Sequence, residues 1–236
     1  MRSRRRATPR RSRTPTPSGP RPGSLAAVPL DLTELVAPGH TALVLQEVQN
    51  GVVGEPSALP ELAAEAAKVG LIAHCAELTR AARAAGVPVV HCTAATRADR
   101  QGANRNARLF MAMQKQGPVS FTPGSRHAQP PDEIGVEPSD LVLARGHGLG
   151  PMHDTALDST LRNMGVTTIV GVGVSLNIGM PNFAFDAVNR GYQFVMPTDA
   201  VAGVPAEYAQ AVLDNALNLV ATLTTTAEVV EVWKAA

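Results

Sequence analysis

Residues 167–192, TTIVGVGVSLNIGMPNFAFDAVNRGY, decide the fold. The run Ile169-Val170-Gly171-Val172-Gly173-Val174 has the composition of a strand covered on both faces. Ser175-Leu176-Asn177 reads as a tight turn, and the stretch that follows is helix-like, with small residues at Gly179 and Ala184. The product is a strand, a turn and a helix N-terminus. There, backbone N–H groups lack partners within the helix and stabilise negative charge.

Working outward, strand-like apolar runs alternate with Ala/Leu-rich helical segments. The predicted strands are Ala42–Val48, Pro88–Cys92, Asp140–Ala144, Thr168–Gly173, Gln193–Met196 and a last one near Val229–Val232. Between the first two, Pro60–Ala85 carries Leu62, Val69, Ile72 and Leu78 at roughly helical spacing, and Gly86 ends it. A second helix runs to Asn163, capped by Asp154 or Thr155 and stopped by Gly165. Pro205 opens a final helix, Ala206–Thr222. This alternation predicts a doubly wound, three-layer α/β/α sandwich around a mainly parallel six-stranded sheet, Rossmann-like in outline. Ligands of such sheets bind beyond the carboxyl ends of the strands. Glu47, His91-Cys92, Arg145 to His147 and Val174 to Gly179 all fall there. The polar, aperiodic segment 93–126 reads as a lid with a short helix, Ala107–Lys115. Its Arg97, Asn104, Asn106 and Arg108 are candidate contacts for a polar substrate.

The composition bounds the rest. The chain has 236 residues, 44% of them hydrophobic, enough for one good core. Residues 1–30 hold eight arginines and no acid, so the remainder carries 13 basic against 20 acidic residues, a net of −7. The expected organisation is a disordered Arg/Pro-rich tail over 1–30 and one folded domain over 31–236. An acidic body is not expected to bind nucleic acid. No apolar run reaches the ~18 residues of a membrane span, and no secretory h-region follows the arginines. Cys75 and Cys92 are too few for a disulfide framework, and a reducing cytoplasm is the expected setting. Six scattered histidines (40, 74, 91, 127, 147 and 153) show no metal-binding spacing, so neither a metal nor a cofactor is expected.

Four segments together resemble the isochorismatase-like (cysteine hydrolase) superfamily. They are Thr41–Asn50 (TALVLQEVQN), His147–Arg162 (HGLGPMHDTALDSTLR), Tyr192–Ala202 (YQFVMPTDAVA) and the 167–192 stretch. The resemblance implies that superfamily's hydrolase fold, self-association and a triad of Asp, Lys and Cys. Here Glu47 stands at the aspartate position, ahead of the matching Gln49-Asn50. Counting back from Thr155 puts the lysine at Gly146, with Arg145 one residue earlier, and Gly179 stands at the cysteine. The triad is degenerate throughout, and glycine offers no nucleophile.

The isochorismatases proper also carry glycine at that position and hydrolyse a vinyl ether by general acid catalysis. The residues suit that chemistry: a carboxylic acid, Glu47, seated beside Leu45 and Val48, with Arg145 as the charge in place of lysine. His147 is the candidate relay. Gln49, Asn50, His91, Arg97, Ser175, Asn177 and Gly179 are the candidate substrate-binding residues. Two readings follow. One is a cofactor-free hydrolase of a small polar, anionic metabolite, acting through a carboxylate rather than a thiol. The other is a catalytically silent member that binds a metabolite or a protein.

Overall fold

The computed structural model describes residues 31–113 and 119–236. The basic head over 1–30, and the end of the expected lid helix at 114–115, lie outside the described residues. The strands are β1 (Thr41–Gln46), β2 (Val89–Ala94), β3 (Leu141–Arg145), β4 (Thr168–Val174), β5 (Gln193–Pro197), β6 (Val201–Ala202) and β7 (Thr222–Thr224). The helices are α1 (Leu32–Leu35), α2 (Asn50–Val53), α3 (Pro60–Lys68), α4 (Leu71–Ala84), α5 (Arg108–Met113), α6 (Leu157–Asn163), α7 (Gly179–Asn189), α8 (Ala206–Asn215) and α9 (Thr226–Ala235).

All strand pairings are parallel, in the order β3-β2-β1-β4-β5-β7, with the short β6 against the end of β4. The chain winds outward from β1 to β3, then returns to the other side of β1 as β4. The topological switch point therefore lies between β1 and β4, whose ends carry Glu47 and the Ser175–Gly179 turn. Alternation along the strands feeds two cores. Leu43 and Leu45 of β1 join Leu71, Cys75 and Leu78 of α4 and Val229, Val230 and Trp233 of α9. Ala42 and Val44 join Leu157 and Leu161 of α6 and Met180, Phe183 and Ala187 of α7. In this second layer a Cβ on Gly171 would stand 2.3 Å from the Phe194 ring. Only glycine lets Phe194 lie across β4 and meet Phe183 edge-on, their centroids 4.9 Å apart.

Four expectations need correction. The sheet of the described residues has seven strands rather than six, because Val201–Ala202 and Thr222–Thr224 both pair. The run near Val229–Val232 is helical. Thr225 and Glu228 form a reciprocal capping box, and Val229, Val230 and Trp233 then recur on one buried face. The helix expected over 206–222 stops at Asn215, which frees Thr222–Thr224 for the sheet edge. The long helix over 60–85 is two helices, broken where Gly70 adopts φ +68°.

Candidate active site

A cavity of about 870 Å³ opens at the carboxyl ends of β1, β3 and β4, under residues from 94–113 and 119–122. Its floor is polar: Glu47, Arg145, Gly146, His147, Ser175, Asn177 and Gly179. Its walls are largely apolar, with Leu59 and Leu62 on one side and Phe110 and Phe121 from the lid.

Glu47 follows β1 directly and holds φ +51°, a left-handed conformation that costs a non-glycine residue about 1–3 kcal/mol. Its backbone N–H donates to the Cys92 carbonyl at 2.9 Å, fixing the turn that delivers the side chain to the cavity. Arg145, from the end of β3, donates Nη2–H to Glu47 Oε1 at 2.5 Å and Nε–H to the Gly150 carbonyl at 3.1 Å. The arginine is nearly buried (6% exposed), whereas the Glu47 side chain is 24% exposed. The second Glu47 oxygen has no partner among the described residues. Glu47 therefore rests as an acceptor, with half of its carboxylate turned to whatever fills the cavity.

The third wall comes from the β4–α7 turn. The Val174–Ser175 peptide is cis, and Gly179 is the first residue of α7. Asn177 clamps the turn: the Val204 N–H donates to its Oδ1 at 2.9 Å, and its Nδ2–H donates to the Val204 carbonyl. Gly173, at φ +115°, lets β4 run so close to β1 that a Cβ there would lie 2.2 Å from the Gln46 carbonyl oxygen. The lid is tied in by Asn104, whose Oδ1 accepts from the Gly148 N–H at 2.8 Å.

The structure brings together Glu47, Arg145, His147, Ser175, Asn177 and Gly179, and adds Arg97 and Asn104 from the lid. Arg97 is exposed and paired with Asp99 at 2.6 Å. Asn106 and Arg108 do not line the cavity, and His153 lies outside it beside Asp154.

Three expected substrate contacts are placed elsewhere. The buried amide of Gln49 donates to the Ala94 and Ala128 carbonyls and accepts from the Ala94 N–H, so all its reach is used within the protein. Asn50 donates to the carbonyls of Arg126, Gln129 and Pro130. Together they hold the cavity's walls rather than line it. His91 faces the opposite layer, where its Nε2–H donates to Asp140 Oδ2 at 3.1 Å, and burial lowers its pKa. Adjacent strand residues point to opposite faces, so Cys92 enters the α6/α7 layer instead. Burial pushes the Cys92 thiol up to about 12, against a smaller pull from Arg145, and burial also raises Cys75. Neither cysteine lines the cavity. Among the described residues no three His, Cys, Asp or Glu side chains gather to hold a metal ion, and no helix is long and apolar enough to cross a membrane.

The sequence reading missed the apolar walls and the buried amide of Gln46, which has no partner among the described residues. That glutamine stands alone among apolar residues in Ala42–Gln46, which was the available signal.

Comparison with known proteins matches residues 41–228 to the Isochorismatase domain family. Among curated proteins, the ureidoacrylate amidohydrolase RutB of Methylobacterium radiotolerans is 30% identical over 174 residues, covering 69% of this chain and 67% of that protein. The uncharacterized isochorismatase family protein YecD of Escherichia coli O157:H7 is 29% identical over 170 residues, covering 71% and 82%. Among solved structures, a cysteine hydrolase from Pseudomonas syringae pv. phaseolicola superimposes with a TM-score of 0.73 at 23% identity, over 85% of this chain and 95% of that one. An isochorismatase family protein from Burkholderia thailandensis does so at 0.68 with 26% identity, over 83% and 96%.

Proposed function

The chain belongs to the isochorismatase family, and from that membership we propose that it is a cofactor-free hydrolase of a small anionic metabolite, working through Glu47 rather than through a thiol. One observation carries this reading. Glu47 and Arg145 meet on the cavity floor with one carboxylate oxygen unengaged, while both thiols are sealed outside. Arg145 cannot give up a proton at neutral pH, so its part is to hold charge: first the carboxylate of Glu47, then the anionic group of a substrate that draws the guanidinium over. Glu47, released from the arginine, takes up a proton, gives it to the substrate as general acid, and recovers one from the water that adds. His147 stands on the same floor as a second donor to the substrate anion. The lid's aromatic side chains exclude water from everything except the reacting end.

The test is a hydrolysis panel of enol ethers, amides and ureido acids, the last class prompted by the ureidoacrylate amidohydrolase relative. Glu47→Gln keeps size and hydrogen bonding but has no transferable proton. On any substrate the wild type turns over, it should lose about 10²–10⁴-fold in kcat with little change in KM. A variant that works as well as the wild type sinks the assignment. The closed Arg145–Glu47 pair also suits a second reading, a binding module without turnover. Thermal stabilisation by panel compounds with no product formed would select it.

A further inference from the structure

Of the chain's five phenylalanines, Phe183 and Phe194 pair in the core, while Phe110 and Phe121 line the cavity that Glu47 also lines. Aromatic residues make up only 3% of the sequence, so two rings at one cavity are a concentration, not a sample of an aromatic-rich chain. The helix that carries the first ring has an unusual apolar face. In α5, Met113 lies four residues after Leu109 and three after Phe110, which puts the three side chains on one side of the helix, and all three line the cavity. Arg108, Met111 and Ala112 are exposed. An apolar helix face ordinarily packs on a core. Among the described residues these three join neither hydrophobic core, and none is fully buried.

Leu62, within the first core, and Leu59, packed against it, supply a further apolar wall. The lid's arginines are engaged elsewhere. Arg97 pairs with Asp99 at 2.6 Å, and Arg100 Nη1–H donates to the Met113 carbonyl at 3.3 Å, which ties down the end of α5. The Thr96 N–H donates to the Phe121 carbonyl at 2.8 Å, so the second ring is also carried on tethered backbone. The volume of about 870 Å³ lies toward the upper end of the roughly 300–1,000 Å³ usual for small-molecule sites. A polar molecule occupying the floor alone would leave the α5 face against water.

We propose that the molecule this site takes carries an aryl body, seated against Leu109, Phe110, Met113 and Phe121, with its polar end on Glu47 and Arg145. The proposal rests on the hydrolase reading above for the role of that polar end. The substrate class is then an amide, ureido or enol-ether group borne on an aryl or arylalkyl skeleton. Rings pair edge-to-face or offset, and a methionine sulfur adds a favourable contact at a ring edge. A flexible chain of equal area gains neither and gives up more rotational freedom on binding.

Isothermal titration calorimetry with three carboxylates of common head group, butyrate, octanoate and 4-phenylbutyrate, tests the aryl site without calling on turnover. 4-Phenylbutyrate should bind about 10–100-fold more tightly than butyrate and about threefold more tightly than octanoate, with a negative heat-capacity change. Phe110→Ala and Met113→Ala should each weaken 4-phenylbutyrate about 5–20-fold. Both should leave butyrate binding and Tm unchanged, since neither side chain packs on a core. Equal affinity for butyrate and 4-phenylbutyrate, tighter binding of octanoate, or wild-type affinity in Phe110→Ala overturns the proposal. A fall in Tm in both variants makes the α5 face structural and overturns it too. The two readings fail separately. Aryl selectivity that is lost with Phe110, with no aryl amide, ureide or enol ether turned over, ends the hydrolase reading and leaves the aryl site standing. Turnover of small polar substrates with no preference for aryl ones does the reverse.

Discussion

The two ends of β3 carry the same chemistry, an arginine facing a carboxylate, and use it differently. Just before the strand, Asp140 receives Arg83 on both oxygens (3.2 and 2.5 Å), the His91 Nε2–H at 3.1 Å and the Glu137 N–H at 3.0 Å. Its side chain is 1% exposed. Just after β1, next to the strand's other end, Glu47 receives one bond from Arg145 and keeps its second oxygen free at the cavity. Every lone pair of Asp140 that the fold can reach is engaged, which is how a charge is carried inside a protein without being left unpaired. Glu47 is under-satisfied, held in a strained backbone and open to the cavity. The first arrangement joins α4, β2 and β3; the second is left open to the cavity. Spare hydrogen-bonding capacity at the carboxyl end of the sheet, rather than charge itself, separates the pair we propose to be functional from the structural one.

The largest effect expected from this contrast is on stability. Asp140→Ala leaves the buried Arg83 with only the exposed Glu137 as counter-charge and the buried His91 Nε2–H without its acceptor, and should cost about 3–5 kcal/mol, the usual penalty for breaking a buried pair from one side. Glu47→Gln keeps an acceptor for the nearly buried Arg145 but removes the opposite charge, and should cost less, about 1–3 kcal/mol. Urea unfolding of the two variants checks both figures. Equal losses would erase the distinction and make Glu47 a structural partner of Arg145.

A smaller effect lies in the pH dependence of the buried cluster. Burial lowers the His91 pKa below its ordinary 6.5, outweighing the Asp140 hydrogen bond that raises it. The unfolded chain therefore takes up a proton near pH 6.5 that the folded chain refuses. Stability contributed by neutral His91 is present above pH 6.5 and declines as pH falls below it, at no more than about 1.4 kcal/mol per pH unit for one proton. Asp140 acts at lower pH. Burial alone would raise its pKa, but Arg83, the Glu137 N–H and His91 together bring it below the ordinary 3.8. Its contribution is present above 3.8 and lost as pH falls through the depressed value. His91→Gln keeps a donor for Asp140 but does not titrate, so it should flatten the unfolding free energy between pH 6.5 and 5. Superimposable slopes would show that His91 takes up its proton without opening the cluster.

The two ends of β3 were not equally legible in the sequence. The β4–α7 turn was readable because composition alone separates a doubly covered strand from the helix after it, and the strand-end rule then located Glu47, Arg145 and His147. The same rule misplaced His91, because being near a strand end does not say which face a residue takes, and a shift of one position exchanges His91 for Cys92. Gln49 and Asn50 were read from resemblance as substrate contacts. Their partners lie 45 to 80 positions along the chain, at distances only the tertiary structure reveals. Val229–Val232 was read as strand because a short apolar run fits either period; Thr225-x-x-Glu228 was the overlooked sign of a helix start. Gln46 was visible as a polar residue in an apolar run, but that its amide lacks a partner is a fact about its neighbours.

The smallest effect expected is none at all, at the two thiols, and it bears on the contrast most directly because a thiol is the natural rival to the carboxylate as the reacting group. Cys92 lies one residue from His91 and on a strand whose neighbour ends at Arg145, so a relocated nucleophile there is the natural rival to Glu47. The physics opposes it. A thiol attacks as thiolate, and burial holds Cys92 near 12 while Arg145 recovers only part of that shift. Its side chain points into the α6/α7 core, away from the cavity, and His91 is on the other face of β2. Cys75, inside α4, is raised by burial and by the charge of Asp199. Iodoacetamide at pH 7.5 should therefore label neither cysteine in the folded protein and both in concentrated urea. Any turnover should survive the treatment, and Cys92→Ala should retain it within a few fold while losing about 1 kcal/mol of stability to the small cavity it creates. Rapid labelling of one thiol in the folded state, with turnover lost in proportion, would move the chemistry from the open carboxylate to the core and reverse the assignment of the two faces of β2.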